Sequence, residues 1–405
     1  MSLSTKKNAI VGQLGGPTSV VNSSLSGIIQ EAIKSKKINN ILGMRDGILG
    51  LMTDRIVDLE KINSKDLYRL QHTPSSILGS CRYILKKEEF PHLLRQFERY
   101  NIGYFFLIGG NGTMETGRQI EQYCKKNSYQ INIIGIPKTV DNDLCNTDHA
   151  PGFPSAAKYI CLSVLQGGRL ARDMQSVDKY VILQTVGRSS GWLAASSVLA
   201  KRKKVDAPHL IYLPERPLSR KLFLSDVKEC IKKYGWVYIV CGEGIRWEDK
   251  SFIASHYSQN NNEIEYGAMG GGSAALNLHK IIYQETNYRG EFQITESLSM
   301  CAIDRVSNVD VEEAYACGVR AVELAEEGIS GVMISIIRAN SKPYKITLSF
   351  VPFEEVALKI KPMDDKYINK QGNFVTDEYI KYIKPLVGKI PKYYELNFKK
   401  AYICI

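Results

Sequence analysis

Residues 103–113 read GYFFLIGGNGT and show most clearly the pattern from which the fold can be predicted. A short apolar run is followed at once by paired glycines and then by polar residues that can begin a helix. The same succession of apolar run and helical pattern recurs along the chain. Seven apolar runs predict strands, at residues 9–12, 103–108, 131–136, 180–186, 210–213, 236–241 and 331–337.

Helical patterns lie between these strands. They predict helices at residues 19–35, 114–127, 155–170, 219–234, 272–285 and 311–327. Strands that are apolar along their whole length and alternate with helices indicate a parallel sheet covered on both faces. We therefore expect a doubly wound α/β fold, in which ligands bind beyond the carboxyl ends of the strands.

The length of the chain predicts more than one domain. It has 405 residues, of which 44% are hydrophobic and 23% charged, more than one hydrophobic core usually fills. The sequence APGFP at residues 150–154 is typical of a passage between domains. We expect one domain over residues 1–150, a second over 151–340 that can be interleaved with the first, and a C-terminal extension over 341–405.

Composition excludes several classes of protein. No apolar run approaches the 18 residues of a membrane span, and the first residues lack the apolar core of a signal peptide. Nine cysteines, an odd number with no Cys-x-x-Cys pair, fit neither a disulfide framework nor a zinc ribbon, so we expect a reducing cytoplasm. Although the net charge is +11, the densest basic run, 201–204, has no interleaved aromatic residues. We therefore expect neither a nucleic-acid nor a membrane partner.

Glycine-rich segments follow two of the strands. Residues 12–19, GQLGGPTS, lead from the first strand into a helix, and residues 109–113 follow the second. Paired glycines let backbone N–H groups approach an anion, and a helix N-terminus adds a partial positive charge. The first segment fits a phosphate cradle or an ordinary strand-to-helix turn equally well. It matches neither the P-loop nor the G-x-G-x-x-G spacing.

The third strand ends in a segment that combines a lysine with two carboxylates, PKTVDND at residues 137–143. Together with the glycine-rich segments, this cluster indicates phosphate and Mg²⁺ binding. The spacing of Asp141 and Asp143 can direct one carboxylate at a reacting hydroxyl and leave the other for a metal. The alternative is an Asx turn that caps the next helix.

Six blocks in this order carry a family resemblance: residues 15–16, 79–83 (GSCRY), 109–113, 137–143, 151–159 (PGFPSAAKY) and 186–188 (VGR). Together they resemble the phosphofructokinases over residues 8–340. Residues 72–74, 101–106 and 191–192 are most similar to the bacterial pyrophosphate-dependent branch of that family.

The resemblance implies transfer of a phosphoryl group to the 1-hydroxyl of fructose 6-phosphate, giving fructose 1,6-bisphosphate, in a cleft between two domains. Asp141 matches the general base, and Asp143 matches the Mg²⁺ ligand, with Asn111 as a neutral partner. Lys138 and Arg188 match cations that face the transferring group. The first domain would bind the donor, pyrophosphate or ATP, through Gly15, Gly16, Arg82, Gly110, Asn111, Gly112 and Thr113.

The resemblance also implies a sugar-phosphate site, in the second domain. The matching residues are Thr139, Lys179, Val186, Gly187 and Glu243. In relatives, the residue at the Lys179 position can reach the sugar phosphate of a neighbouring subunit, which implies a homodimer or homotetramer.

The chain departs from the family pattern at several positions. Gly112 stands where the pyrophosphate-dependent branch usually carries Asp, and this glycine favours ATP, whereas the overall likeness favours pyrophosphate. Leu14 replaces a serine, and residues 266–270 (YGAMG) replace a motif with His and Gln. Residues 297–300, SLSM, stand where relatives have Tyr-Leu-Gln-Arg.

The last change removes an arginine and a tyrosine that contact the sugar phosphate, unless Arg305, Arg289 or Lys280 compensates. The alternative to an active enzyme is therefore a catalytically weak or regulatory paralogue. The intact cluster from Lys138 to Asp143 favours activity.

Overall fold

The computed structural model of the protein describes residues 6–254 and 272–396. The polar residues 259–262 and the altered motif at 266–270 lie outside these residues. The strands are β1 (Lys7–Gln13), β2 (Ile38–Met44), β3 (Ile56–Asp58), β4 (Ile102–Gly109), β5 (Asn132–Pro137), β6 (Tyr180–Thr185), β7 (Leu210–Tyr212), β8 (Val237–Gly242), β9 (Gly290–Ile294), β10 (Val332–Ser341) and β11 (Tyr344–Pro352).

Helices connect most of these strands. They are α1 (Val21–Lys34), α2 (Ile48–Met52), α3 (Ser64–Gln71), α4 (Phe90–Arg99), α5 (Asn111–Lys126), α6 (Phe153–Asp173), α7 (Trp192–Ser196), α8 (Arg220–Tyr234), α9 (Ala274–Thr286), α10 (Asn308–Glu326) and α11 (Asp377–Val387). None of the helices in the described ranges is long and apolar enough to cross a membrane.

The strands form two sheets. The first has the order β11-β10-β5-β4-β1-β2-β3, and the second has the order β7-β8-β6-β9. The second sheet is parallel throughout, and the first is parallel from β2 to β10 with an antiparallel strand at each edge. After building the second sheet, the chain returns to the first through α10, β10 and β11.

The central strands of each sheet are buried on both faces. In β4, Phe106 and Ile108 belong to a core with α1 and α10, whereas Phe105 and Leu107 belong to a core with α4 and α5. The second sheet likewise lies between α6, α7 and α11 on one face and α8 and α9 on the other. Alternate side chains of a strand point to opposite faces, so strands buried on both faces must be apolar throughout. The prediction of a doubly wound α/β fold is confirmed.

The seven predicted strands are all present, and the structure adds four more, β2, β3, β9 and β11. Three of the four lie at sheet edges, and β2 lies next to an edge. The strand β11 alternates between more and less exposed residues, and β2 carries Asn39 and Asn40 near its start. A search for continuous apolar runs misses strands of this kind because polar or exposed residues interrupt them.

Candidate active site

A cleft of about 480 Å³ lies at the carboxyl ends of the central strands, where the two sheets face each other. All but two of the predicted site residues line it. They are Gly15, Gly16, Arg82, Gly110, Asn111, Gly112, Thr113, Lys138, Thr139, Asp141, Asp143, Val186, Arg188 and Glu243. The loops after β1, β4 and β5 supply one wall, and the loops after β6 and β8 supply the other, as expected for open α/β sheets.

Lys138 links the glycine-rich loop to the carboxylates. It follows β5, is 5% exposed, and its Nζ donates a hydrogen bond to the carbonyl oxygen of Gly16. Burial lowers the pKa of Lys138 to about 8, although Asp141 and Asp143 oppose this shift. The ammonium group is therefore largely protonated at neutral pH and lies where a donor phosphate would need a positive charge.

Asp141 is held by its backbone while one carboxylate oxygen is left without a partner. The backbone N–H donates to Oγ1 of Thr139 at 3.1 Å, and Oγ of Ser190 donates to the backbone oxygen at 2.9 Å. Oδ1 is buried and accepts no hydrogen bond from the described residues. Burial, with the charges of Asp143 and Glu243, raises the pKa of Asp141 to about 7, although Arg188 and Lys138 oppose the shift. A buried carboxylate with such a pKa can accept a proton near neutral pH.

Asp143 and Asn111 meet across the loops that follow β5 and β4. Nδ2 of Asn111 lies 3.3 Å from Oδ2 of Asp143, and Oδ1 of Asn111 is buried without a partner among the described residues. Burial raises the pKa of the Asp143 carboxyl. The described ranges contain no cluster of three or more His, Cys, Asp or Glu side chains that could hold a metal by itself. Mg²⁺ is commonly bound by one or two carboxylates together with substrate phosphates, so this pair fits Mg²⁺ better than a cation held by protein alone.

Glu243 faces Asp141 from the second sheet. It follows β8, and its Oε1 accepts a hydrogen bond from the backbone N–H of Gly187 at 3.2 Å. Burial, with the charge of Glu296, raises the pKa of Glu243 to about 7. Gly187 has φ of +126° and its Cβ would lie 2.7 Å from the carbonyl oxygen of Ser190, so no other residue fits there. This glycine does not line the cleft but positions Glu243.

Residue 112 faces open space. A Cβ built on Gly112, in the first turn of α5, meets no atom within 4 Å. The helix N-terminus therefore presents backbone rather than side-chain atoms to a donor. No steric obstacle to a nucleoside phosphate comes from this position.

The segment with the altered sequence also borders the cleft. Glu296–Ser299 form a short 3₁₀ helix, and Glu296 and Met300 line the cleft. The compensating residues suggested by the sequence do not line it: Arg289 pairs with Asp178 at 2.8 Å, and Arg305 stacks on a tyrosine ring. Lys280, on α9, is not among the lining residues either.

Lys179 is the other predicted residue outside the cleft. It immediately precedes β6, and its Nζ donates to the carbonyl oxygen of Gln175 at 2.7 Å. Val186 and Arg188 follow the carboxyl end of β6, where the cleft lies. Lys179 therefore lies at the other end of this strand, away from the cleft of its own chain. Its contact with a neighbouring subunit stays a prediction.

Nine lining residues were not predicted as site residues, and three of them bring polar side chains from positions that no motif marked: Thr18, Thr116 and Glu296. Thr116 lies one helical turn after Gly112 and donates to the carbonyl oxygen of that glycine at 3.0 Å, so the helical period could have indicated it. Oγ1 of Thr18 is buried without a partner among the described residues. No sequence signal points to Glu296.

Comparison with known proteins identifies the family. The phosphofructokinase family profile matches residues 8–324. A pyrophosphate–fructose 6-phosphate 1-phosphotransferase of Halomonas elongata is 35% identical over 94% of this chain and 91% of its own length. A sulfofructose kinase of Alkalicoccus urumqiensis is 32% identical over 86% of this chain and 88% of its own.

A solved structure extends the comparison. The pyrophosphate-dependent phosphofructokinase of Marinobacter aquaeolei superposes with a TM-score of 0.85 at 34% identity, covering 96% of this chain and 94% of its own. The resemblance drawn from the sequence motifs is thereby confirmed, and the chain belongs to the phosphofructokinase family, a family of phosphotransferases.

Proposed function

We propose that this protein transfers a phosphoryl group from pyrophosphate to the 1-hydroxyl of fructose 6-phosphate, with Mg²⁺, to give fructose 1,6-bisphosphate. The observation that carries the proposal is Asp141, a buried carboxylate with an unpartnered oxygen in a cleft that also holds Lys138 and Arg188. A general base beside cations is what phosphoryl transfer to a hydroxyl requires.

Asp141 takes the proton of the attacking 1-hydroxyl. Lys138, Arg82 and Arg188 balance the negative charge of the transferring group, and the N-terminus of α5 adds backbone N–H groups to the donor side. Asp143 and Asn111 would hold Mg²⁺, which supplies further charge neutralisation when bound. Most of the catalysis then comes from positioning and electrostatics rather than from covalent chemistry.

For the donor, we favour pyrophosphate over ATP. The similarity of nearly the whole chain to proteins named as pyrophosphate-dependent supports pyrophosphate as the donor. The open space at Gly112 supports ATP instead. A single glycine removes an obstacle but adds no contact to adenosine, so we give the whole-chain similarity more weight.

On the sugar side, Glu243, Thr139, Val186 and Gly187 would form the pocket for fructose 6-phosphate. Lys179 would contribute from a neighbouring subunit of a homodimer or homotetramer. We further propose that the first sheet binds the donor and the second binds the sugar. We infer a cytoplasmic protein because the described cysteines are all free thiols.

The experiment is product formation by the purified protein from fructose 6-phosphate and Mg²⁺, in parallel with pyrophosphate and with ATP. Asp141→Ala should abolish turnover and leave folding intact, because the hydrogen bonds to Thr139 and Ser190 are made by the backbone of this residue and remain in the variant. A variant that kept most of its activity would remove Asp141 from the role of base.

A second phosphoryl acceptor should be tested in the same assay, beside fructose 6-phosphate. The cleft is bordered at one end by Glu296 and Met300, where the family usually supplies an arginine to the sugar phosphate. A sulfonate carries one negative charge, whereas a phosphate carries close to two. A cleft that lacks this arginine therefore favours a sulfonated sugar such as sulfofructose over a sugar phosphate. A higher kcat/KM for sulfofructose would identify it as the acceptor.

A further inference from the structure

The C-terminal segment, residues 353–396, places Lys361 between the two loops that carry the catalytic residues. One loop follows β5 and contains Asp141 and Asp143; the other follows β6 and contains Arg188. The backbone N–H of Lys361 donates to the carbonyl oxygen of Asp143 at 2.8 Å. Its carbonyl oxygen accepts from Nε1 of Trp192 at 3.3 Å. A single residue thus bonds to the first loop and to the helix that ends the second.

The side chain of Lys361 adds three contacts to the first loop. Nζ donates to the carbonyl oxygens of Thr147 at 2.9 Å and Asp148 at 3.0 Å, and it lies 3.4 Å from Oδ1 of Asn142. It also lies 5.3 Å from the centre of the Trp192 ring, within cation–π range. The ammonium group therefore neutralises the carbonyl dipoles of a loop more than 200 residues away in the chain.

The loop is also held at Asn142, between the two catalytic carboxylates. This residue has φ of +56°, a left-handed conformation that asparagine adopts more readily than most residues other than glycine. Its Nδ2 donates to the hydroxyl of Tyr382 on α11 at 3.0 Å, and that hydroxyl donates to the carbonyl oxygen of Asp148 at 2.9 Å. The C-terminal segment thus holds Asn142 through two of its own side chains.

The second loop is tied to the same segment through Glu215. Its Oε1 accepts from the backbone N–H groups of Gly191 and Met363, both at 2.9 Å. Ser190 in turn bonds to the backbone of Asp141. The two loops and the C-terminal segment therefore form one closed hydrogen-bonded assembly.

We propose that Lys361 is a positioning residue, which sets the register of the loop bearing Asp141 and Asp143 against the loop bearing Arg188. It does not line the cleft, so it acts through the residues that it holds. The effect on catalysis rests on the function proposed above. The effect on loop geometry does not.

The test compares Lys361→Met with Lys359→Met, a matched change at an exposed position two residues away. Methionine keeps the length of the side chain and removes its charge and donors. We expect kcat to fall about tenfold to a hundredfold, since misplacement of reacting groups by about 1 Å costs on that order. The KM values for fructose 6-phosphate and pyrophosphate should change much less than kcat, because Lys361 does not line the cleft.

Lys361→Arg, which keeps the charge and the donors, should retain more of the kcat than Lys361→Met. A Lys361→Met variant that matched Lys359→Met in kcat would overturn the proposal. If Lys361→Met does not fold, Tyr382→Phe takes its place, because it removes only a hydroxyl. The kcat of Tyr382→Phe should fall severalfold, and an unchanged kcat would contradict the proposal that the C-terminal segment positions the loop.

A second measurement does not depend on turnover. Hydrogen exchange of the backbone amides of residues 139–148 should be faster in Lys361→Met than in Lys359→Met, while exchange in β4 and β8 stays the same. Unchanged exchange in the loop would refute the positioning role. A folded wild-type protein without turnover would refute the proposed function alone.

Discussion

Replacing Asp141 with asparagine should destroy activity and stabilise the fold at the same time. Asparagine has nearly the same shape but cannot accept the proton of the 1-hydroxyl. The backbone hydrogen bonds to Thr139 and Ser190 do not involve the side chain, so they remain. Loss of a general base typically costs about 10²- to 10⁴-fold in rate, or roughly 3 to 5 kcal/mol of barrier.

The gain in stability follows from the raised pKa of Asp141. A pKa raised from 3.8 to about 7 means that folding opposes ionisation by about 4 kcal/mol at most, at about 1.36 kcal/mol per pH unit. The penalty is absent below pH 4, grows between pH 4 and 7, and is constant above pH 7. Replacing the carboxylate with a neutral amide therefore stabilises the protein most above pH 7.

The assay pairs steady-state kinetics with urea unfolding in EDTA, at pH 5 and at pH 8. We expect the difference in unfolding free energy between Asp141→Asn and wild type to increase from the lower to the higher pH. Asp141→Glu serves as the control that keeps the charge. The reasoning fails if Asp141→Asn keeps more than about a tenth of the wild-type kcat, or if it is less stable than wild type at pH 8.

Three further outcomes are expected. Gly112→Asp should lower kcat/KM for any ATP-dependent turnover while the pyrophosphate reaction and the melting temperature stay nearly unchanged, since a Cβ at residue 112 meets no atom within 4 Å. Glu243→Gln should raise KM for fructose 6-phosphate about ten- to a hundredfold, because it removes a charge-assisted hydrogen bond worth about 1.5 to 3 kcal/mol. The wild-type KM should also rise as the pH falls below about 7, the pKa of Glu243, because the carboxylate is then protonated. The variant should lack this pH dependence. Arg338→Met should destabilise the fold by about 1.5 to 3 kcal/mol in urea unfolding, because it removes the charge-assisted pair at 2.8 Å between Arg338 and Asp148, whose carboxylate keeps its contact with His149.

Much of the site could be predicted because it depends on local sequence. Lys138, Asp141 and Asp143 follow one strand within six residues, and the fold places strand ends at the cleft. The glycine-rich segments at residues 12–19 and 109–113 also lie at strand ends, those of β1 and β4. Residues that a strand end positions need no knowledge of distant contacts.

The remaining features depend on contacts between distant parts of the chain. Lys361 has no motif around it, and its partners are carbonyl oxygens that carry no sequence signal. The sequence around His149 has no metal-ligand spacing and gives no sign of its partners. The structure shows it fully buried, with Nδ1 2.8 Å from a carboxylate oxygen of Asp148 and Nε2 2.5 Å from one of Glu313. Such pairs form only when α10 packs against the loop after β5.

Phosphorus NMR distinguishes the substrates and products of the proposed reaction in a sample of the purified protein with fructose 6-phosphate, Mg²⁺ and pyrophosphate, and a parallel sample contains ATP instead of pyrophosphate. We expect the pyrophosphate signal to be converted to orthophosphate while a second phosphate ester appears on the 1-position of the sugar. If the folded protein forms no fructose 1,6-bisphosphate from either donor, the cleft does not perform the reaction proposed for it.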